Sequence, residues 1–289
     1  MKNKDLISIM IPCYNSERFI DKCLSNILNQ TYKNIELVAV NDGSTDNTKS
    51  ILEGYIEKFE NKGMKLIIIN QKNSGQAAAI DAALKKITGK YVMWQDSDDY
   101  LELDAVENLH TYLLNNPDEK MVRGEAAFRN DNDMSKILEV KKSKYPNQKN
   151  IFDFYVFETD SYCYPGIFMV RTDHLFKCLK NKNIYKSRAG QNWQLILPIS
   201  YKENCGYLDK VVYNYRIVEN SHSHSVRKTF DLLKRCDEHK DILFNVIDSI
   251  KNMSSKEKKY YKKRLEIKHL KKKIKIISKK IKDKLKKSR

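Results

Sequence analysis

Apolar and amphipathic segments alternate regularly over the first 115 residues of the chain. Four short apolar runs have the length and composition of buried strands: residues 6–12, 35–40, 65–69 and 90–94. Between them, apolar residues recur every three or four positions in three segments that we predict to be helices: residues 19–28, 51–59 and 74–87. Strands that alternate with helices favour a parallel sheet with right-handed crossovers. The sequence therefore predicts an α/β fold with a Rossmann-like, mostly parallel central sheet flanked by helices.

The pattern becomes less regular in the second part of the chain. Residues 101–115 and 193–200 have helical periodicity, and residues 207–216 alternate as a strand does. Short β-like runs indicate a mixed extension of the sheet: residues 121–123, 126–129 and 167–170. From residue 228 onward the pattern is helical to the end. We predict three parts: residues 1–115, 116–227 and 228–289.

Positive charge is concentrated at the C-terminus. The net charge is +17, yet residues 251–289 alone hold 19 Lys and Arg against three Asp and Glu, so the remainder is nearly neutral. Apolar residues recur every three or four positions in this tail, with lysine at most other positions: Ile267, Leu270, Ile274, Ile277, Ile281 and Leu285. A basic amphipathic helix of this kind is typical of segments that lie on an anionic bilayer.

We therefore expect residues 252–289 to dock on an anionic membrane surface, and their deletion to leave the rest of the fold intact. A coiled-coil seam that joins two copies is the alternative, so an oligomer stays open, although few acids are present to pair between helices. No recognition motif accompanies the charge, so no nucleic-acid partner is expected. No segment reaches membrane-spanning length, and the six cysteines form no C-x-x-C pair. The predicted location is cytoplasmic, peripherally associated with the inner face of the cell membrane.

Two acidic clusters follow predicted strands directly. Asp42 comes at the end of the second strand, and Asp96, Asp98 and Asp99 follow the fourth. Ligands of open α/β sheets bind at the carboxyl ends of the strands. Three carboxylates within four residues repel one another and need a cation or strong donors nearby. Because Mg²⁺ prefers oxygen ligands and shares its coordination with phosphates, these clusters indicate a nucleotide diphosphate held through a metal ion.

Other nucleotide-binding motifs are absent from the turn after the first strand. Residues 12–17 contain no glycine, which disfavours both a dinucleotide fold and a P-loop. Tyr14 in this turn either covers a base or sugar or packs on the first helix. Asp42 is placed to accept a hydrogen bond from a base imide N–H, although a plain turn with a helix cap would use the same residue types. One of Asp98 and Asp99 is also suited to cap the next helix, but a cap does not require three acids.

Four motifs, in this order and spacing, resemble the bacterial inverting glycosyltransferases of family 2, which have the A-type glycosyltransferase fold. They are Ile11-Pro12-Cys13-Tyr14-Asn15, Val40-Asn41-Asp42-Gly43-Ser44-Thr45-Asp46, Asn73-Ser74-Gly75 before an Ala-rich helix, and Gln95-Asp96-Ser97-Asp98-Asp99. The resemblance implies that Asp42 reads a uracil-type base, Asp96 faces the ribose or sugar, and Asp98 ligates Mn²⁺ or Mg²⁺. The other nucleotide-sugar contacts that it implies are Pro12, Tyr14, Asn15, Asn73, Gly75 and Ser97.

The resemblance also gives the three parts their roles. Residues 1–115 would form the nucleotide-sugar-binding half, residues 116–227 the acceptor-binding half of the same domain, and residues 228–289 a helical C-terminal extension. Members of this fold often bring a C-terminal histidine to the metal or diphosphate, which makes His222 or His224 a candidate ligand.

The catalytic base of the family is missing from its usual position. Family members carry a Glu-Asp pair at the start of a helix in the acceptor half, where this chain has Gln191 and Asn192. An amide cannot accept a proton at neutral pH, so base catalysis by either residue is not expected. The two amides remain suited to hold a sugar. Three other carboxylates are weaker candidates for the base: Glu125, Asp160 and Asp209.

The predicted function is a metal-dependent inverting glycosyltransferase. It would move a hexosyl or N-acetylhexosaminyl group from a nucleotide sugar, a UDP-sugar in the first instance, to a hydroxyl group. The expected acceptor is a bacterial surface glycan of the capsule, O-antigen or teichoic-acid type, free or lipid-linked. The alternative is a catalytically inactive nucleotide-sugar-binding or partner subunit of a glycosyltransferase complex.

Overall fold

The computed structural model describes residues 5–159, 164–185, 187–217 and 229–287. The first part of the chain alternates strands and helices as the sequence predicts. Its elements are β1 (Ile7–Cys13), α1 (Ile20–Leu28), β2 (Ile35–Asp42), α2 (Thr48–Glu53), α3 (Ile56–Glu60), β3 (Lys65–Gln71), α4 (Gln76–Leu84) and β4 (Tyr91–Trp94). The one helix predicted over residues 51–59 is instead two short helices, α2 and α3, with a turn between them.

The second part contains the predicted strands and helices with different boundaries. Its elements are β5 (Tyr100–Leu101), α5 (Ala105–Asn115), β6 (Met121–Asn130), β7 (Ile137–Lys141), α6 (Phe152–Phe157), β8 (Phe168–Arg171), α7 (Thr172–Cys178), α8 (Gln191–Ser200), β9 (Cys205–Ile217), α9 (Thr229–Ser249) and α10 (Ser255–Lys287). The two runs predicted at 121–123 and 126–129 are one strand, β6, whose pairing with β9 shifts register around Glu125. The helix predicted from residue 101 begins only at Ala105, because Tyr100 and Leu101 pair with β9.

Within the described residues, the strands form one mixed sheet in the order β3-β2-β1-β4-β8-β6-β9-β5, with β7 paired to β6. Strands β3, β2, β1 and β4 are mutually parallel, and β8 runs antiparallel to β4 and β6. Every residue of β1 and β2 is buried, as expected for central parallel strands covered by helices on both faces. The sheet therefore continues from the predicted donor half into the predicted acceptor half without interruption.

The two C-terminal helices form an antiparallel pair that packs on the body of the protein. Leu265 and His269 of α10 are buried, and Lys273 forms an ion pair with Asp237 of α9 across 2.5 Å. The hydroxyl of Tyr261 donates to Asp153, which follows the start of α6, across 2.8 Å. This packing argues against the expectation that residues 252–289 can be deleted without harm, because the cut would uncover the inner face of α9. Within the described residues, no helix combines the length and apolar character needed to cross a bilayer.

Candidate functional site

The predicted acidic cluster lies in the loop after β4, at the carboxyl end of the parallel strands. Carboxylate oxygens of Asp96, Asp98 and Asp99 all lie within 4.8 Å of one another. Burial and the neighbouring charge of Asp98 raise the pKa of Asp96 to about 7. Burial also raises the pKa values of Asp98 and Asp99. Because neighbouring carboxylates repel one another when ionised, a cation between them would stabilise their charged forms. The oxygen ligands of this cluster fit a hard divalent cation such as Mg²⁺ or Mn²⁺.

The three acids have different surroundings. The hydroxyl of Tyr213 and the backbone N–H of Arg216 donate to the two carboxylate oxygens of Asp99, across 2.5 and 2.7 Å. Asp99 is therefore committed to fastening the loop to β9. Asp96 accepts one hydrogen bond, from Nε2 of Gln76 across 2.5 Å. This leaves Asp98 and the second oxygen of Asp96 as the groups best placed to meet a cation.

Two arginines and a fourth acid border the acidic loop. Arg216 donates from Nε to the backbone carbonyl of Asp98 across 2.8 Å and from Nη1 to Asp131 across 3.1 Å. Arg18, just before α1, donates to the other oxygen of Asp131 across 2.7 Å. The guanidinium carbons of Arg18 and Arg216 lie 4.9 and 5.0 Å from the centroid of the Phe19 ring. Positive charge is thus held beside the loop, where a diphosphate would need it.

The side chain of Asp42 is buried at the tip of β2. Its carboxylate accepts hydrogen bonds from the backbone N–H groups of Ser74 and Gly75, each across 2.8 Å, and from Nε2 of Gln71 across 2.7 Å. A carboxylate has about four acceptor positions, so one remains for a ligand. Asp42 therefore organises the loop between β3 and α4, and its predicted contact with a base stays a prediction.

Short polar side chains join the loop after β1 to the loops after β2 and β4. Asn15, with a φ of 47°, accepts a hydrogen bond from the backbone N–H of Thr45 across 2.8 Å. The hydroxyl groups of Ser16 and Ser97 lie 2.8 Å apart. Pro12 and Cys13 end the buried strand β1, and Tyr14 directly after them is half exposed. Of the residues predicted to contact the nucleotide sugar, Asn15 and Ser97 thus also shape the pocket, whereas Tyr14 has an open ring for stacking.

A segment of the predicted acceptor half reaches the donor side of the cleft. Gly75 has a φ of +95°, and a Cβ atom there would lie 2.6 Å from the Cα and carbonyl oxygen of Arg188. The backbone N–H of Gln76 donates to that carbonyl across 3.0 Å. Nη2 of Arg188 donates to Oδ1 of Asn73 across 2.6 Å. The loop before α8 therefore lies directly on the loop that holds Asp42.

The amides at the start of α8 lie close to the acidic loop. Oδ1 of Asn192 accepts a hydrogen bond from the indole N–H of Trp94, the last residue of β4, across 3.0 Å. Gln191 is buried. Gly190 precedes the helix in the left-handed conformation and packs on Ile242 of α9. Asn192 thus joins the predicted acceptor half to the strand that carries the acids, and no proton acceptor stands at this position.

The weaker candidates for the catalytic base lie elsewhere. Glu125 is buried on β6 and accepts from the hydroxyl of Tyr207 across 2.7 Å, while Lys142 lies 3.3 Å from both Glu125 and the exposed Asp209. The carboxylate of Asp99 meets β9 at the backbone N–H of Arg216, and Arg216 pairs with Arg129 of β6. Glu125 lies on β6, four residues before Arg129. At about 3.3 Å per residue this is roughly 13 Å along the strand, which argues against either acid as the base.

The remaining predicted residues, Asp160, His222 and His224, lie outside the described residues.

Sequence reasoning missed several residues that complete the cleft. Tyr213 and Asp131 act through contacts between segments far apart in the chain, and no local motif marks them. Gln76 has a sequence signal, since it opens the Ala-rich helix directly after the Asn73-Ser74-Gly75 motif. Arg18 lies in the polar turn between β1 and α1, and no local motif marks it.

Known proteins resemble this chain in sequence and in fold. Residues 8–179 match the model of the family described as glycosyl transferase family 2. Glycosyltransferase GlyA of Streptococcus pneumoniae serotype 4 is 42% identical over 110 residues, which are 38% of this chain and 15% of that protein. The hyaluronan synthase of Pasteurella multocida is 43% identical over 102 residues, 35% of this chain and 10% of that protein. The match thus spans less than a fifth of either relative's length.

The likeness of fold extends over most of the chain. S. aureus TarS 1-349 in complex with UDP-GlcNAc has a TM-score of 0.66 and 20% identity, covering 92% of this chain and 73% of that one. Mannosyltransferase PcManGT from Pyrobaculum calidifontis in complex with GDP-Man and Mn2+ has a TM-score of 0.59 and 17% identity, covering 88% and 66%. The predicted α/β fold and the predicted family are confirmed. The chain belongs to glycosyl transferase family 2.

Proposed function

We propose that this chain is a metal-dependent inverting glycosyltransferase that uses a nucleotide sugar, in the first instance a UDP-sugar. The observation that carries the proposal is the acidic cluster: Asp96 and Asp98 present carboxylate oxygens at the carboxyl end of the parallel strands, within 4.8 Å of each other. Support also comes from TarS, whose structure holds UDP-GlcNAc, and from PcManGT, whose structure holds GDP-Man and Mn2+.

In this proposal the chain's residues hold the donor along the ends of β1, β2 and β4. Asp42 accepts the imide N–H of the base, Tyr14 stacks on it, and Asp96 takes a ribose hydroxyl. When bound, a divalent cation at Asp98 neutralises the charge that develops on the departing diphosphate. Arg216 adds a buried positive charge beside the same loop, held by the carbonyl of Asp98. The acceptor hydroxyl attacks the anomeric carbon from the opposite face, which inverts its configuration.

The acceptor side presents amides where a base is usual. Gln191 and Asn192 are suited to hold sugar hydroxyls, and the acceptor is proposed to be a bacterial surface glycan, lipid-linked where it is made at a membrane. A missing base costs roughly 10²–10⁴-fold in rate. The absence of a base favours a second candidate function, a nucleotide-sugar-binding subunit without turnover. The hydrogen bond from the indole N–H of Trp94 to the side-chain oxygen of Asn192 gives this residue a structural role that requires no catalysis.

Release of UDP from candidate UDP-sugars in the presence of Mn²⁺ separates these functions. The transferase proposal expects release by the wild type and its loss in Asp98→Ala. An exposed acid, Asp133, serves as a matched control because it bonds only within its own turn, so Asp133→Ala should keep full release. Tight UDP binding without release from any UDP-sugar, with every acceptor tried, would favour the binding subunit.

We further propose peripheral docking of α10 on an anionic membrane surface. Five apolar side chains of this helix are about half exposed: Ile267, Leu270, Ile274, Ile277 and Ile281. At 100° per residue they lie on the side opposite Leu265 and His269, which face the body of the protein. Lysines flank this stripe on both sides, so its chemistry complements anionic headgroups above apolar chains. Docking there would bring the cleft to a lipid-linked acceptor.

A further inference from the structure

The amide group of Asn73 has a defined orientation. Nη2 of Arg188 donates to its Oδ1 atom across 2.6 Å. A guanidinium group has donors and no acceptor, so the atom that meets it must be the amide oxygen rather than the amide nitrogen. The nitrogen Nδ2 of Asn73, with its two N–H donors, meets no acceptor within the described parts of the chain and is left for a ligand.

Arg188 is itself fixed in place by backbone contacts. Its carbonyl accepts the N–H of Gln76 across 3.0 Å, and its Cα lies 2.6 Å from the position that a Cβ atom of residue 75 would take. A side chain at residue 75 would collide with the backbone of Arg188, and the positive φ of 95° at Gly75 would strain any residue other than glycine. The backbone of Arg188 is therefore fixed, which limits the positions that its guanidinium group can take and keeps it close to Asn73.

The end of β2 supplies an acceptor beside this donor. The backbone N–H groups of Ser74 and Gly75 hold the carboxylate of Asp42, and a carboxylate offers acceptors and no donor. Asn73 is the neighbour of Ser74 in the chain. The end of β2 and the loop that it holds thus present one acceptor, from Asp42, and one donor, from Asn73, at the site that the base is proposed to occupy.

We propose that Arg188 is a positioning residue for base selection: it locks the Asn73 amide so that its N–H₂ group faces the base. This inference rests on the proposed function. With the lock in place, the wall complements a ring N–H that lies beside a carbonyl, which is the edge of uracil, thymine and guanine. Cytosine and adenine present the reverse edge, a ring nitrogen acceptor beside an amino group. Without Arg188 the amide can rotate and offer its oxygen to that amino group.

Calorimetric titration with UDP, GDP, CDP and ADP, each with Mn²⁺, tests this assignment. The wild type should bind UDP on the order of a hundredfold more tightly than CDP, since two hydrogen bonds are mismatched. In Arg188→Ala the ratio of UDP to CDP affinity should fall about tenfold, because one of the two discriminating contacts becomes free to adapt. Arg188→Lys keeps a cationic donor for Oδ1 and should retain most of the ratio.

Two further variants separate base selection from a general role in holding the loop. Asn73→Ala should lower the ratio to the same extent as Arg188→Ala, and Lys182→Ala, which removes an exposed cation from the same connecting segment, should leave it unchanged. Thermal melts establish that each variant is folded. An unchanged ratio in Arg188→Ala, or an equal loss of UDP and CDP affinity, would overturn the assignment. If the wild type bound UDP but showed no preference over CDP, the donor proposal would stand and this one would fail.

Discussion

The hydroxyl group of Tyr213 donates to Oδ2 of Asp99 across 2.5 Å, joining the third acid of the cluster to β9. Both residues are buried, and the backbone N–H of Arg216 occupies the other carboxylate oxygen. Burial raises the pKa values of both Asp99 and Tyr213. Asp99 is therefore a structural acid, and the acidic loop owes its position to a strand more than a hundred residues later in the chain.

Tyr213→Phe removes this hydroxyl and should lower the free energy of unfolding by about 1–3 kcal/mol, because a buried carboxylate loses one of its two donors. Chemical denaturation with and without Mn²⁺ measures the change. The affinity for Mn²⁺ should fall less than in Asp98→Ala, since Tyr213 acts on the loop and not on the ion. Tyr145→Phe, at an exposed tyrosine, is the matched control and should be neutral. Equal stability of Tyr213→Phe and the wild type would contradict the structural role.

Asn192→Asp tests the missing base directly. A carboxylate at this position keeps an acceptor for the indole N–H of Trp94 and adds a group that can take the acceptor's proton. We expect kcat to rise by at least about tenfold, with a new acidic limb in its pH profile. Asn192→Ala should lower both stability and activity, because the indole N–H loses its partner. An Asn192→Asp enzyme that is no faster than the wild type at any pH would mean that another group already serves as the base.

The elements of the donor half could be predicted because their signals are local. Continuous apolar runs predict β2 and β4, and the acids at their carboxyl ends follow from the position of these strands. Contacts between distant segments were beyond such reasoning. The different roles of Asp96, Asp98 and Asp99 depend on contacts with Tyr213 and Gln76. No local motif marks Tyr213, and the motif before Gln76 does not show that its side chain reaches Asp96.

The acceptor half shows the same limit. The two amides at the start of α8 were visible in the sequence, but the hydrogen bond between Asn192 and Trp94 joins residues 98 positions apart. The register shifts around Glu125 have no sequence signature, so its distance from the acidic loop could not be foreseen. The periodicity of the tail predicted α10 correctly. Which side of α10 is buried depends on its packing against α9, where Leu265 and His269 become inaccessible to solvent, and the sequence of the tail alone does not show this.

The exposed stripe of α10 predicts binding to anionic vesicles by the full-length protein. Wild type should bind vesicles rich in phosphatidylglycerol and not pure phosphatidylcholine in a flotation assay. Ile274→Ser with Ile277→Ser removes apolar contact without changing charge, and Lys271→Gln with Lys282→Gln, at exposed positions beside the stripe, removes charge alone. Each pair should weaken binding roughly ten- to thirtyfold, since each residue contributes about 1 kcal/mol.

These substitutions lie on the exposed side of α10 and should leave the melting temperature unchanged. A different result would support a coiled-coil seam between two copies. In that case the wild type would form concentration-dependent dimers and bind no vesicles, and the variant with Ile274→Ser and Ile277→Ser would be monomeric.

Acid should loosen the C-terminal helices from the body of the protein. His239 of α9 lies between Trp193 of α8, with ring centroids 4.7 Å apart, and His269 of α10, whose ring nitrogen lies 3.4 Å from its Nδ1. Burial, together with the charges of His269 and Lys272, lowers the pKa of His239 to about 4, although Glu158 opposes the shift. The folded protein therefore holds this imidazole neutral at pH values where the unfolded chain, with an ordinary pKa near 6.5, is protonated.

A lowered histidine pKa gives stability that is fully present above about pH 6.5 and is lost progressively as the pH falls towards 4. Between pH 7 and pH 5 the loss from this one group should be about 2 kcal/mol. Denaturation curves at the two pH values measure it, and His239→Gln should show a smaller difference because its amide does not titrate. Since α9 supports Gly190 at the start of α8 through Ile242, the wild type should also lose activity reversibly over this range. If His239→Gln were destabilised by acid as much as the wild type, the titrating group would have to be another.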